Sequence, residues 1–223
     1  MNFVGKSMKM KFLYTALGVF DKACEGEKWP DFVIDPPGER SWERFIEWSK
    51  LYHLTELVSL DRMHNEDLVD PDYKNAEDWN YIHITTDEAG QSYQSGLYTS
   101  PDYVAKRPKV LARDRYNLLA VVVEPDQECR DIVLEGFEFV GYELLDQAFS
   151  ISVLTNCGGL DGAHFPTDLN DKGLVDDFSK VRDIQKRCLE MRSVLAFHAD
   201  TTVIAVWRHK TIGRLCGNVS PKK

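Results

Sequence analysis

The sequence predicts an α+β fold, a mainly antiparallel sheet packed by helices in one domain, and three features of its second half carry that expectation. Leu118 to Val123 is a continuous apolar, β-branched run ended by Glu124-Pro125, which suits a buried strand. Gly136 to Asp146 alternates in character, and Ile151 to Leu154 follows after a turn, which together suggest neighbouring antiparallel strands. Asp176 and Asp177 then cap a helix. In it Phe178, Val181, Ile184, Cys188 and Met191 form one apolar stripe, with Lys180, Arg182, Lys186 and Arg187 outside it. Thr201 to Trp207, rich in β-branched residues, returns to the sheet.

The first half gives shorter signals. Lys6, Lys9 and Lys11 precede the apolar run Phe12 to Phe20, an arrangement that imitates a short secretory leader. Asp21 and Lys22 follow it directly and no small-residue cleavage pattern closes it, so the expectation is a cytoplasmic protein. Residues 1–40 read as partly irregular because of the prolines from Trp29-Pro30 to Pro36-Pro37-Gly38. Ser41 can cap a helix whose apolar positions are Trp42, Phe45 and Ile46, with Trp48 toward its edge, and Leu57 to Leu60 reads as a short strand. Asn75 is a candidate N-cap for a helix through Trp79 and Ile82. Ser100-Pro101 marks another helix start, with proline at the first helical position.

The 223 residues, 43% of them hydrophobic and 28% charged, suit one globular core without repeats or linkers. The net charge of −9 is unevenly placed. Glu56 to Glu88 holds ten acids against Arg62 and Lys74, or −8, and Glu124 to Asp146 holds eight against Arg130, or −7. Lys180 to Lys223 holds ten bases against three acids, or +7. This balance disfavours nucleic acid as a partner, and no apolar stretch approaches the ~20 residues of a membrane span. The five cysteines are scattered without a CxxC pair, and the histidines form no HExxH pattern, so no metal is implied. GxGxxG and GxxxxGK[ST] are both absent, so no nucleotide cofactor is implied either.

Thr155-Asn156-Cys157-Gly158-Gly159 places a thiol at the end of a predicted strand, before two glycines that permit tight turning and can present backbone N–H groups to an oxyanion. Nucleophilic use of Cys157 needs a base. His164 and His198 are the candidates, with Asp161 or Asp200 to orient the ring. Against this stands the plainer reading of a buried cysteine beside a glycine turn.

Two resemblances add to these readings. NLLAVVVEP, FEFVGYELLD, ISVLTNCGG and GLVDDF, all between Asn117 and Phe178, resemble strings of a family of small bacterial proteins that carries no assigned activity. That likeness implies a bacterial, cytosolic setting and brings no catalytic residue with it. The segments around His53 and Tyr98 resemble the His and Tyr segments of ADP-ribosyltransferases. Membership there implies that both hold NAD while Glu143 or Glu135 acts on the ribose, although neither glutamate sits in a matching context.

With no complete catalytic motif, the leading expectation is a non-catalytic acidic binding protein that neutralises or regulates a basic protein partner. Glu66, Asp67, Asp70 and Asp72 are its expected partner-binding residues. A Cys157-centred hydrolase or transferase is the alternative.

Overall fold

The computed structural model describes residues 10–18, 20–21, 56–60, 68, 79–86, 90–111, 116–149, 151–154, 169–190 and 200–212. Its strands are β1 (Leu13–Gly18), β2 (Phe20–Asp21), β3 (Glu56–Leu57), β4 (Ile82–Thr86), β5 (Ser92–Tyr98), β6 (Tyr116–Val123), β7 (Phe137–Asp146) and β8 (Thr201–His209). Helices α1 (Pro101–Ala105), α2 (Pro108–Leu111) and α3 (Phe178–Glu190) complete it. Six strands form one sheet in the order β4-β5-β1-β6-β8-β7, with β2 and β3 paired separately, and every strand pairing is antiparallel. The expected antiparallel α+β architecture is what the chain adopts.

Period-two geometry explains why β6 and β8 read as unbroken apolar runs. Ala120, Val122, Val203, Ala205 and Trp207 pack into the core shared with Val181, Ile184 and Cys188 of α3. The intervening Leu119, Val121, Ile204 and Val206 face the opposite side, where Val58, Leu60, Phe149 and Leu174 cover them. Both faces are therefore dry. Burial of each aliphatic side chain in these layers contributes roughly 1.5–3 kcal/mol.

The apolar run beginning at Phe12 is β1, third in the sheet, with Leu13, Ala16 and Leu17 buried between β5 and β6. Part of the segment expected to be irregular thus lies in the core. The helix expected through Trp79 and Ile82 is instead a 3-10 turn (Trp79–Tyr81) leading into β4, because Ile82, Ile84, Thr85 and Thr86 find partners on β5. Strand β5, SYQSGLY, carries too little apolar alternation to be read as a strand in advance. The helix expected from Ser41 lies outside the described residues.

Other signals match directly. Ser100 caps α1, its Oγ accepting from Tyr103 N at 3.3 Å. Asp177 caps α3, its Oδ1 accepting from Lys180 N at 3.0 Å. Ile151 to Leu154 pairs with the edge of β7 as an isolated bridge between Leu145 and Ser152 rather than as a full strand. β7 is bulged between Phe139 and Gly141. Gly141 has φ +136°, and a Cβ there would lie 2.7 Å from Leu174 Cβ, so the close approach of the 170–176 turn requires glycine.

Candidate functional site

The two acidic stretches have different fates. Five of the eight acids in Glu124 to Asp146 are committed to the fold. Glu124 pairs with Arg182 at 2.6 Å and accepts from Val203 N at 2.7 Å. Glu128 accepts from the Tyr142 hydroxyl at 2.5 Å and from Cys129 N at 3.1 Å. Burial alone would raise the Glu128 carboxyl, but hydrogen bonds from Tyr142 and from the Arg130, Phe178 and Cys129 backbone outweigh it and hold the group below the usual range.

Glu138 pairs with Arg208 at 3.0 Å. Glu143, fully buried, accepts from Leu60 N, Leu144 N and Ser152 Oγ at 2.9–3.2 Å. Asp146 accepts from Ile151 N at 3.0 Å. Asp126, Asp131 and Glu135 are exposed, as are Glu124 and Glu128 despite their partners, so this stretch is only in part the open acidic face that its composition suggests. Arg182 and Arg208, from the basic end of the chain, neutralise part of it.

In Glu56 to Glu88, Glu56 is likewise committed, because its carboxylate pairs with Arg208. Val58, Ser59, Leu60 and Leu68 are buried. Glu66, Asp67, Asp70 and Asp72 lie outside the described residues. The described end of this stretch exposes three large apolar side chains within six residues, Trp79 at 62%, Tyr81 at 41% and Ile84 at 37%. The capping signal at Asn75 predicts Trp79 on a helix, and Trp48, at the edge of the helix expected from Ser41, lies outside the described residues. The available signal was W-N-Y-I-H-I, an aromatic and β-branched run with Glu77-Asp78 before it and Asp87-Glu88 shortly after.

A cleft of about 730 Å3 opens at the β7 bulge, beside the turn from Asn170 to Asp176. Asn170 organises that turn, its Oδ1 accepting from Lys172 N and Leu174 N while Nδ2 donates to Val140 O and Asp176 Oδ1. Arg208 lies in the wall, its side chain 6% exposed and clamped between Glu56 and Glu138. Lys172 pairs with Asp171 at 2.6 Å, and Arg130 donates to the Asp176 carbonyl. Arg208 with Glu138 and Lys172 with Asp171 are thus matched charges, while Arg130 and Asp176 are held by uncharged groups. Among the described residues its lining holds no histidine, thiol or hydroxyl side chain to act as a nucleophile or neutral base.

Cys157, His164 and His198 all lie outside the described residues, as does His53. Tyr98 and Glu143 are not brought together. They sit on β5 and β7, four strand spacings apart in the sheet order, or about 19 Å. Tyr98 is buried with its hydroxyl donating to the Leu68 carbonyl, and Glu135 is exposed in the turn before β7. Cys129 and Cys188 are free and buried, and burial pushes both thiols up to about 11, which leaves them as poor nucleophiles at neutral pH. Among the described residues no group of three or more His, Cys, Asp or Glu is placed to hold a metal ion, and no helix is long and apolar enough to cross a membrane. Comparison with family models, curated proteins and solved structures finds no match to this chain.

Proposed function

We propose that the protein is a non-catalytic acidic binding protein, acting in a bacterial cytosol, that engages a basic protein partner through the Glu56 to Glu88 stretch. The supporting observation is the exposure of Trp79, Tyr81 and Ile84 in the described part of the Glu56 to Glu88 stretch. The downstream acidic stretch is drawn into internal pairs with Arg182, Arg208 and backbone N–H groups. The upstream one carries −8 in the sequence, with Glu56 paired to Arg208 and Trp79, Tyr81 and Ile84 exposed. Acidic residues and exposed apolar side chains in one stretch of sequence are the composition of a surface that steers an oppositely charged protein and then holds it.

The test is affinity capture at low and high salt, with the partner identified by mass spectrometry and then titrated in purified form. Neutralising Glu66, Asp67, Asp70 and Asp72 together, as Gln and Asn, removes four charges worth roughly 0.5 kcal/mol each. Binding should weaken about 30-fold and lose most of its salt dependence. Unchanged affinity in that variant would sink the acidic-face reading.

A further inference from the structure

We propose that the cleft at the β7 bulge binds a small zwitterion, a molecule carrying an ammonium and a carboxylate group, as a free α-amino acid or a dipeptide does. Such a site does not depend on the protein-binding role above. Arg130, Lys172 and Arg208 line the cleft against Glu138, Asp171 and Asp176, so both signs of charge are equally represented. A simple anion meets as many repelling groups there as attracting ones, and so does a simple cation. A ligand that carries both charges can match both sets.

The pairings inside the cleft decide which charges are left for a ligand. Arg208 is taken by Glu56 and Glu138, and Lys172 by Asp171 at 2.6 Å. Arg130 instead donates to the Asp176 carbonyl, and the Asp176 carboxylate accepts from the Asn170 amide at 2.8 Å. Arg130 and Asp176 are both exposed, and neither meets an opposite charge among the described residues. One guanidinium and one carboxylate are thus neighbours in the same cleft without pairing. A ligand carboxylate can accept from the remaining Arg130 N–H groups while a ligand ammonium donates to the Asp176 carboxylate.

Both groups are held before any ligand arrives. Arg130 N donates to Glu128 Oε1 at 3.1 Å, which fixes the turn that carries the guanidinium. Val175, next to Asp176, exchanges backbone hydrogen bonds with Tyr142 at 2.7 and 3.0 Å. Asn170 closes the 170–176 turn through Lys172 N, Leu174 N and the Val140 carbonyl. A ligand that meets a fixed cation and a fixed anion loses little affinity to ordering the protein. The volume of about 730 Å3 lies in the range of small-ligand sites.

The test is an NMR-monitored titration of the labelled full chain with the common L-amino acids and a set of dipeptides at about 20 mM salt, where exposed charges are least screened. The tightest binder is then compared with its carboxamide and its N-acetyl derivative, each of which lacks one of the two charges. Either derivative should bind about fivefold more weakly than the zwitterion. Arg130→Gln should weaken the zwitterion and the N-acetyl derivative by about that factor and leave the carboxamide unchanged. Asp176→Asn, whose Oδ1 can still accept from Asn170, should weaken the zwitterion and the carboxamide and leave the N-acetyl derivative unchanged. Preference for amino acids or for dipeptides tells which of the two the cleft takes. Both substituted residues are exposed, so unchanged urea midpoints separate lost contact from lost fold, and the derivative series on the parent chain is decisive without either variant. No binding by any amino acid or dipeptide at up to about 10 mM, or derivatives that bind as tightly as the zwitterion, would overturn the assignment.

Discussion

Replacing Arg208 by methionine keeps most of the apolar stem of a buried side chain and removes its charge. The Arg208 side chain is 6% exposed, its Glu56 partner 15% and its Glu138 partner 37%. Breaking a buried pair by deleting one partner costs about 3–5 kcal/mol, because the other charge stays behind without compensation. The Glu138 share is discounted for solvent screening to under about 1 kcal/mol. Glu56 retains some access to water, which places the sum near the low end, at about 3 kcal/mol.

With a urea m-value of about 2 kcal/mol/M, the midpoint should fall by about 1.5 M. Pairing Arg208→Met with Glu56→Gln removes the stranded charge and should recover about 1–2 kcal/mol of that loss. Equilibrium urea unfolding of the parent, both single variants and the double variant closes the cycle. A loss below about 1 kcal/mol for Arg208→Met, or a double variant no more stable than that single, would refute the idea that this cluster joins β3, β7 and β8 electrostatically.

Two further predictions probe the backbone and the pH response. Gly141→Ala should cost more than about 2 kcal/mol, since its φ is +136° and the new Cβ would meet Leu174 Cβ at 2.7 Å. Gly90→Ala, with φ +79° and nothing within 4 Å, should cost only about 1 kcal/mol, so equal thermal shifts for the two would contradict the close-approach account. His209 Nδ1 accepts from Ile212 N at 3.0 Å and Thr211 N at 3.2 Å, and burial holds the imidazole below its ordinary value. Between the two pKa values the unfolded chain binds more protons than the folded one. The histidine's contribution is therefore complete above the unfolded value of about 6.5 and is lost as pH falls through the lower folded value. Urea midpoints at mildly acidic and neutral pH should consequently diverge more in the parent than in His209→Asn, whose Oδ1 can accept the same bonds at either pH.

What was legible in the sequence divides along a physical line. β6, β8 and α3 were visible because burial on both sheet faces, or on one helix face, writes its period directly into the residues. The α1 start was visible because Ser100-Pro101 is local capping chemistry. β5 was not, since a strand such as SYQSGLY is specified by the neighbours β4 and β1 that receive it. β1 could be mistaken for part of a leader because an apolar run has the same composition in either role.

The charges show the same limit more sharply. An acidic stretch read by composition is a sum over side chains, whereas a docking surface depends on which of them have already found a cation or an N–H group. Glu124 meets Arg182 across 58 positions and Glu138 meets Arg208 across 70, separations at which no local pattern announces a pair. Part of the contrast between an acidic middle and a basic end is thus resolved inside the fold, by Arg182 and Arg208. A binding role for this chain draws on charge that such pairs do not cancel, and the combined variant at Glu66, Asp67, Asp70 and Asp72 is the test of whether that charge lies upstream.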